Sequence, residues 1–268
     1  MRIDKSLIVA RKDWLEIRRN WQVIMPVIIL PVVLSVLMPI ALANGFSTAA
    51  NDSKQINITN SLPIDARADA AGLDQGQAAA YIMLLYLFAP FFLIIPLMAS
   101  SVIASDSFAG EKERKTTEAL LATPITDSEL LLGKIIVSFV PAMLITIFSF
   151  IVYSAIADSM FVPIIHHIVL PNASWLLLVF ALAPALTITG IGATVLISSK
   201  VKGFREAQQI SGLLLLPILA LVIAQLSGML FFGPAVIIAL TLAFLGADAV
   251  LFKIGTRIFR REELLSKI

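Results

Sequence analysis

One charged run interrupts an otherwise apolar chain. Glu111, Lys112, Glu113, Arg114 and Lys115 stand together, followed by Thr117, Glu118, Leu120, Leu121 and Pro124. Charges of both signs beside a leucine pair offer handles for a docking partner, with no nucleophile or base pair among them. A phosphate loop needs G-x-x-x-x-G-K-[ST], whose backbone N–H groups, lysine and hydroxyl meet phosphate and Mg. Gly133-Lys134 lacks both the upstream glycine and the following hydroxyl. His166 and His167 are adjacent, so their side chains diverge on a helix or a strand and serve one metal poorly. The chain has no cysteine, which excludes disulfides, thiolate nucleophiles and Cys-ligated metals. Nothing resembles H-x-x-x-H, a paired carboxylate or G-x-S-x-G within an apolar run. Gln225 and Asp248 do lie in such runs. A polar or ionisable group there is costly, so both are candidate translocation-path residues. Asp248 precedes Lys253 by five residues, so pairing with Lys253 or Lys134, or hydration, is the competing role.

The elements around these residues follow from composition. The 268 residues are 59% hydrophobic and 14% charged, and mean hydropathy is +0.93. Soluble domains are about 45–50% apolar and about 25% charged. The chain cannot clothe itself in a polar shell, which excludes a soluble enzyme, a disordered protein and a nucleic-acid binder. A bilayer core of about 30 Å takes about 20 apolar residues per helix. Six segments qualify, at about 22–43, 80–104, 132–157, 174–198, 208–228 and 232–252. They are too long and too uniformly apolar for barrel strands. The fold class is therefore an all-α polytopic membrane protein, with one six-helix transmembrane domain over 22–254. Eighteen of the 20 Lys and Arg fall in 1–21, 105–134, 199–207 and the chain's end, which is Lys253 and the tail 255–268. Lys54 and Arg67 alone lie in the loop 44–79. Cations concentrate on the cytoplasmic side, so both termini are expected there. Lys134, at the start of the third segment, is expected to snorkel to the interface.

Residues 1–21 carry Ile3, Leu7, Ala10, Trp14, Ile17 and Trp21 at spacings of three and four, an amphipathic helix suited to the cytoplasmic headgroup layer. A cytosolic helix packed on a partner is the alternative. Ala41-Leu42-Ala43 has the form of a signal-cleavage site, but the apolar run is too long and too far from the start for a signal peptide. Asn51, Asn57 and Asn172 head N-x-[ST] sequons on the outer side, where chance occurrence is the simpler account unless the source organism glycosylates. Nine prolines lie in the spans and are tolerated where neighbours satisfy the freed carbonyls. Gly190 and Thr194 form a small-x-x-x-small pair that permits close helix approach.

The segment 105–131 joins the second and third spans. Thr126-Asp127-Ser128-Glu129 fits a capping box opening the third, and Pro124 disfavours helix at Thr123. This predicts a compact helix over Glu111–Ala122 between two spans. The stretch GEKERKTTEALLATPITDSELLLGK resembles the signature region of ABC type-2 (ABC-2) export permeases. Its matching members are Glu113, Arg114, Thr117, Glu118, Leu120, Leu121, Thr123, Pro124, Glu129, Leu130, Leu131, Gly133 and Lys134. The helix before the first span resembles the family's elbow helix, and Phe259–Leu265 resembles the end of the sodium-efflux and multidrug-like branch. Thr116 stands where the common pattern has glycine, and little room is left for a re-entrant hairpin between the last two spans.

The resemblance implies a permease with no ATPase activity of its own, working with two copies of a cytoplasmic ABC ATPase that carry ATP and Mg. It also implies a second permease copy or paralogue, and a multi-pass place in a prokaryotic plasma membrane. The ATPase-coupling residues it implies are Glu111, Glu113, Arg114, Lys115, Thr117, Glu118, Leu120, Leu121 and Pro124. A self-contained secondary transporter or channel would show internal repeats or ionisable residues near midplane. A non-transport ABC membrane complex is the other alternative. Substrate is left open.

Overall fold

The computed structural model describes residues 3–41, 75–116, 125–227 and 232–258, and every regular element among them is helical. A short helix α1 (Ile3–Ile17) leads into α2 (Trp21–Ala41). Next comes a composite helix α3, from Gln75–Ile82 to Glu111–Glu113. Then follow α4 (Asp127–Ile165), α5 (Ala173–Lys200), α6 (Phe204–Leu226) and α7 (Pro234–Ile258). The six helices after α1 are each long and apolar enough to cross a membrane. At 1.5 Å per residue, the 39 residues of α4 extend about 58 Å, well beyond the hydrocarbon core at one end or both.

The central post is α3. In its most apolar stretch 83% of residues are buried, against 11% in α7, whose flanks carry exposed Leu242, Leu245 and Val250. In a bilayer, apolar exposure of this kind is the expected finish of a lipid-facing helix. Small residues let α5 pack between two neighbours. A Cβ on Gly190 would lie 2.8 Å from Leu97 Cδ1 of α3, and one on Gly192 would lie 3.2 Å from Leu251 Cβ of α7.

Prolines explain three of the four wide turns among the described residues, the exception being Asp106–Gly110. Proline lacks an N–H and its ring collides with the carbonyl four residues earlier, so the helix must widen or tighten there. Wide turns at Val33–Leu37, Met83–Leu87 and Leu178–Leu182 precede Pro39, Pro90 and Pro184. In α3 the freed carbonyls are taken up by other helices. Phe88 N donates to Met83 O, one residue further back than in an α-helix. Tyr153 Oη of α4 donates to Leu84 O at 2.5 Å, Trp175 Nε1 of α5 to Leu85 O at 2.8 Å, and Gln225 Nε2 of α6 to Tyr86 O at 2.7 Å. Tyr153 and Trp175 stack at 4.9 Å within the largest apolar cluster. Three helices thus latch one turn of the fourth.

At the same end, Asp158 Oδ1 accepts from Val169 N and Leu170 N, closing the return from α4 to α5. Asn172 Oδ1 accepts from Trp175 N at 2.9 Å and starts α5. The third sequon asparagine is therefore a helix cap. Asn51 and Asn57 lie outside the described residues.

The expected helix over Glu111–Ala122 requires correction. The charged residues continue α3 and end it at Glu113, with a turn at Arg114–Lys115, where Lys115 has φ 56°. Residues 117–124 lie outside the described set. The capping box is present, with Thr126 Oγ1 accepting from Glu129 N and Glu129 Oε2 from Thr126 N.

The α1 stripe also divides. Ala10 and Ile17 are buried, together with Ser6, Val9 and Asp13, on the face that packs on α4. Leu7, Trp14 and Trp21 face outward. Gly133 makes the approach possible, because a Cβ there would meet Ser6 O at 2.7 Å and Val9 Cβ at 2.8 Å.

Candidate functional site

Four consecutive residues at the end of α3 each hold a different part of the molecule. Glu111 Oε1 takes Lys12 Nζ of α1 at 2.6 Å, and its Oε2 takes Lys134 Nζ of α4 at 2.6 Å. Lys112 Nζ donates to Ser198 O and Ser199 O at 2.8 and 3.2 Å, the last carbonyls of α5, where a cation is favoured by the helix dipole. Glu113 Oε2 accepts from Phe204 N at 2.9 Å, satisfying a free N–H at the start of α6. Arg114 folds back on Asp106 Oδ1 at 3.1 Å and approaches Glu16 of α1 at 3.8 Å.

A second layer closes the hub. Asp106 Oδ1 also accepts from Asn20 Nδ2 at 3.0 Å, and Asn20 Oδ1 in turn accepts from Gln22 N at the start of α2. Ser107 Oγ donates to Asp13 Oδ2 at 2.6 Å. Lys134 Nζ donates to Ser107 O and lies 3.5 Å from Asp13 Oδ2 and 5.0 Å from the Phe108 ring centroid. The hub thus engages α1 and the ends of five spans.

Its charges nearly cancel: Lys12, Arg114 and Lys134 against Asp13, Glu16, Asp106 and Glu111. Asp13, Asp106, Glu111 and Lys134 are no more than 3% exposed. Taking such ions from water costs several kcal/mol each unless partners compensate, so removing one partner is far worse than never having buried the set. For Lys12, burial works to discharge the ammonium. The hydrogen bond and charge of Glu111, with Asp13 and Glu16, outweigh it and hold the lysine above its ordinary range. Arg114 is raised in the same manner, burial opposing and Asp106 prevailing.

Two glycines fit the hub together. Gly133 seats α1, and a Cβ on Gly203 would fall 2.8 Å from Glu113 Oε2, on the cap itself.

The residues singled out from sequence divide accordingly. Glu111, Glu113 and Arg114 come together in the hub, Glu111 buried and the other two at its exposed rim. Lys115 sits beyond it, exposed, next to the segment that holds Thr117, Glu118, Leu120, Leu121 and Pro124, all outside the described residues. The expectation that Lys134 snorkels is overturned, since its ammonium is buried where Glu111 and Ser107 replace water. Gln225 is the α6 member of the three-helix latch, and its Oε1 has no hydrogen-bond partner. Asp248 is 9% exposed, and its Oδ1 accepts from Thr189 Oγ1 of α5 at 2.5 Å. Lys134 is committed to Glu111, which removes it from the alternatives of Lys253, Lys134 or hydration for Asp248.

Lys12, Asp13, Asp106 and Gly203 were not singled out, and Lys112 entered only as a member of the charged run. The available signal was their sign and place: acids on a basic helix at Asp13 and Glu16, and Asp106 at the end of an apolar run. The arrangement joins helix ends through ion pairs and caps, which gives it a mechanical capacity.

The family model described as ABC-2 family transporter protein matches residues 7–246, which includes most of α1, the hub, α2 to α6 and the first half of α7. No curated protein matches the chain.

Proposed function

We propose that this chain, which belongs to the ABC-2 transporter family, is an export permease worked by a separate ATPase from its hub-bearing side. The family makes it the membrane-spanning component of an ABC transporter. Beyond that, the reading is that the hub side is cytoplasmic and that two ATPase subunits bind ATP and Mg. Two permease chains form the path, and substrate leaves outward. The ATPase grips Lys115 and the adjoining Thr117, Glu118, Leu120, Leu121 and Pro124. The grip pulls on Glu111–Arg114, which do not touch the ATPase themselves.

The observation that carries this reading is the run of four consecutive residues tied to α1, α4, α5 and α6. A force on the short segment after Arg114 reaches all four elements through direct ion pairs and caps. ATP can drive transport only if the closed ATPase pair favours one arrangement of these elements over another. Export needs no ionisable relay inside the spans, because the energy enters from outside them.

The test is purification of the chain from its native membranes in mild detergent, with mass spectrometry of what accompanies it. A near-stoichiometric ATPase carrying a phosphate loop is expected. Lys115→Glu combined with Leu120→Ala and Leu121→Ala should lower its recovery at least tenfold, about 1.4 kcal/mol of binding, at unchanged thermal stability. A chain that comes alone, even after crosslinking at Lys115, overturns the proposal.

A further inference from the structure

Asp248 is left half satisfied in a place where that is expensive. Thr189 Oγ1 serves its Oδ1, while Oδ2 has no hydrogen-bond partner. A buried polar atom without a partner costs about 1–3 kcal/mol, and more when charged. Such a cost invites a ligand that supplies the missing partner.

The side chain lines a small cleft between α4, α5 and α7. Every other lining group is apolar, among them Leu131, Ile191, Gly192 and Phe252. Gly192 keeps the cleft open on the α5 side, since any side chain there would push on Leu251. At the mouth, Ile188 is 40% and Phe252 64% exposed, and both belong to membrane-crossing helices, so the cleft opens toward lipid. Leu131 lies one turn from Lys134, which places the cleft at the hub end of the molecule.

These features define one kind of occupant. The carboxylate asks for a cation, and the lone free oxygen asks for a hydrogen-bond donor. The apolar walls and lipid-facing mouth ask for a hydrocarbon body that remains in the bilayer. We propose that Asp248 Oδ2 and this cleft bind the ammonium head of a single-chain amphiphilic cation entering from the hub-side leaflet. A neutral amphiphile would leave the carboxylate unpaired, and a hydrated inorganic cation would find no second oxygen among the lining side chains. As a statement of substrate class the proposal rests on the exporter reading above; as a statement of binding it does not.

The test therefore uses the full chain alone, in lipid nanodiscs with no ATPase. Radiolabelled dodecylammonium is the probe, with protein-free discs as background. Saturable binding to the wild type is expected, with competition by unlabelled dodecylammonium and none by dodecanol. Asp248→Asn keeps the shape and the Thr189 contact, and should weaken binding at least tenfold without lowering the melting temperature. Ile188→Trp at the mouth should weaken it too. The proposal is overturned by absent saturable binding, by equal binding to Asp248→Asn, or by equal competition from dodecanol, which would make the cleft a lipid-chain groove only. Failure here leaves the ATPase co-purification untouched, and failure there leaves binding to be judged on its own.

Discussion

Lys134 shows what a buried charge does in this molecule. Its ammonium has Glu111 at 2.6 Å, Asp13 at 3.5 Å and the Ser107 carbonyl as neighbours, with almost no access to water. Lys134→Met is expected to cost about 3–5 kcal/mol, because the buried Glu111 and Asp13 are left to share the partly exposed Lys12 as counter-ion. Lys134→Met combined with Glu111→Gln should cost less than the sum of the singles by about 0.5–3 kcal/mol, the signature of residues in one network. Thermal unfolding of the purified variants in one detergent measures both, and strict additivity would sink the pairing. Lys12 adds a pH limb with a defined sign. Its pKa in the folded chain lies above the ordinary 10.5, so its stabilisation is full below pH 10.5. It is lost progressively as pH rises beyond that value.

The helices are held by devices placed at their interruptions. In α3 the wide turn before Pro90 is fastened by Tyr153, Trp175 and Gln225, each from another span. At the other end α1 depends on a missing side chain, since backbone Ser6 O lies 2.7 Å from where a Gly133 Cβ would be. A backbone atom cannot step aside as a long side chain can. Gly133→Val should lift α1 off α4, raise protease cleavage within 3–17 several-fold and lower the melting temperature. Unchanged cleavage would show that α1 is held by lipid alone. The existence of these helices was plain in the sequence, because 20 apolar residues in a row have few other fates. Their ends were not. A charged run such as Glu111–Lys115 reads as the start of something new, whereas tertiary partners at α1, α4, α5 and α6 absorb its charges and let α3 continue to Glu113. The same blindness applies to Lys134. A lysine at the mouth of a span is expected to reach for water, and only a carboxylate 23 positions away in the chain reverses that. Asp13 and Ser6 lay off the predicted apolar stripe for an equivalent reason: the burying face of α1 is chosen by polar partners as well as by grease.

The whole chain places its ionic machinery at one end and its aromatic latch toward the other, with α3 running between them. That polarity gives the orientation a mechanical meaning. Eighteen of 20 cations lie in the segments expected on the hub side, so the cation bias of cytoplasmic loops predicts that the hub lies inside, where ATP is. The absence of cysteine makes the test direct, since any single introduced cysteine reports alone. Asn57→Cys, in the loop 44–79, should react with a membrane-impermeant maleimide on intact cells. Lys115→Cys, exposed just past the hub, should react only after the membrane is opened. The reverse pattern would turn the molecule over. It would place Glu111–Arg114 and the gripping segment away from any cytoplasmic ATPase, and the coupling proposal would fail even if every contact in the hub were confirmed. The expected pattern would leave the force from ATP a single short entry point, the residues immediately after Arg114. Substitutions there should then alter coupling without altering the stability that Lys134 and Glu111 provide.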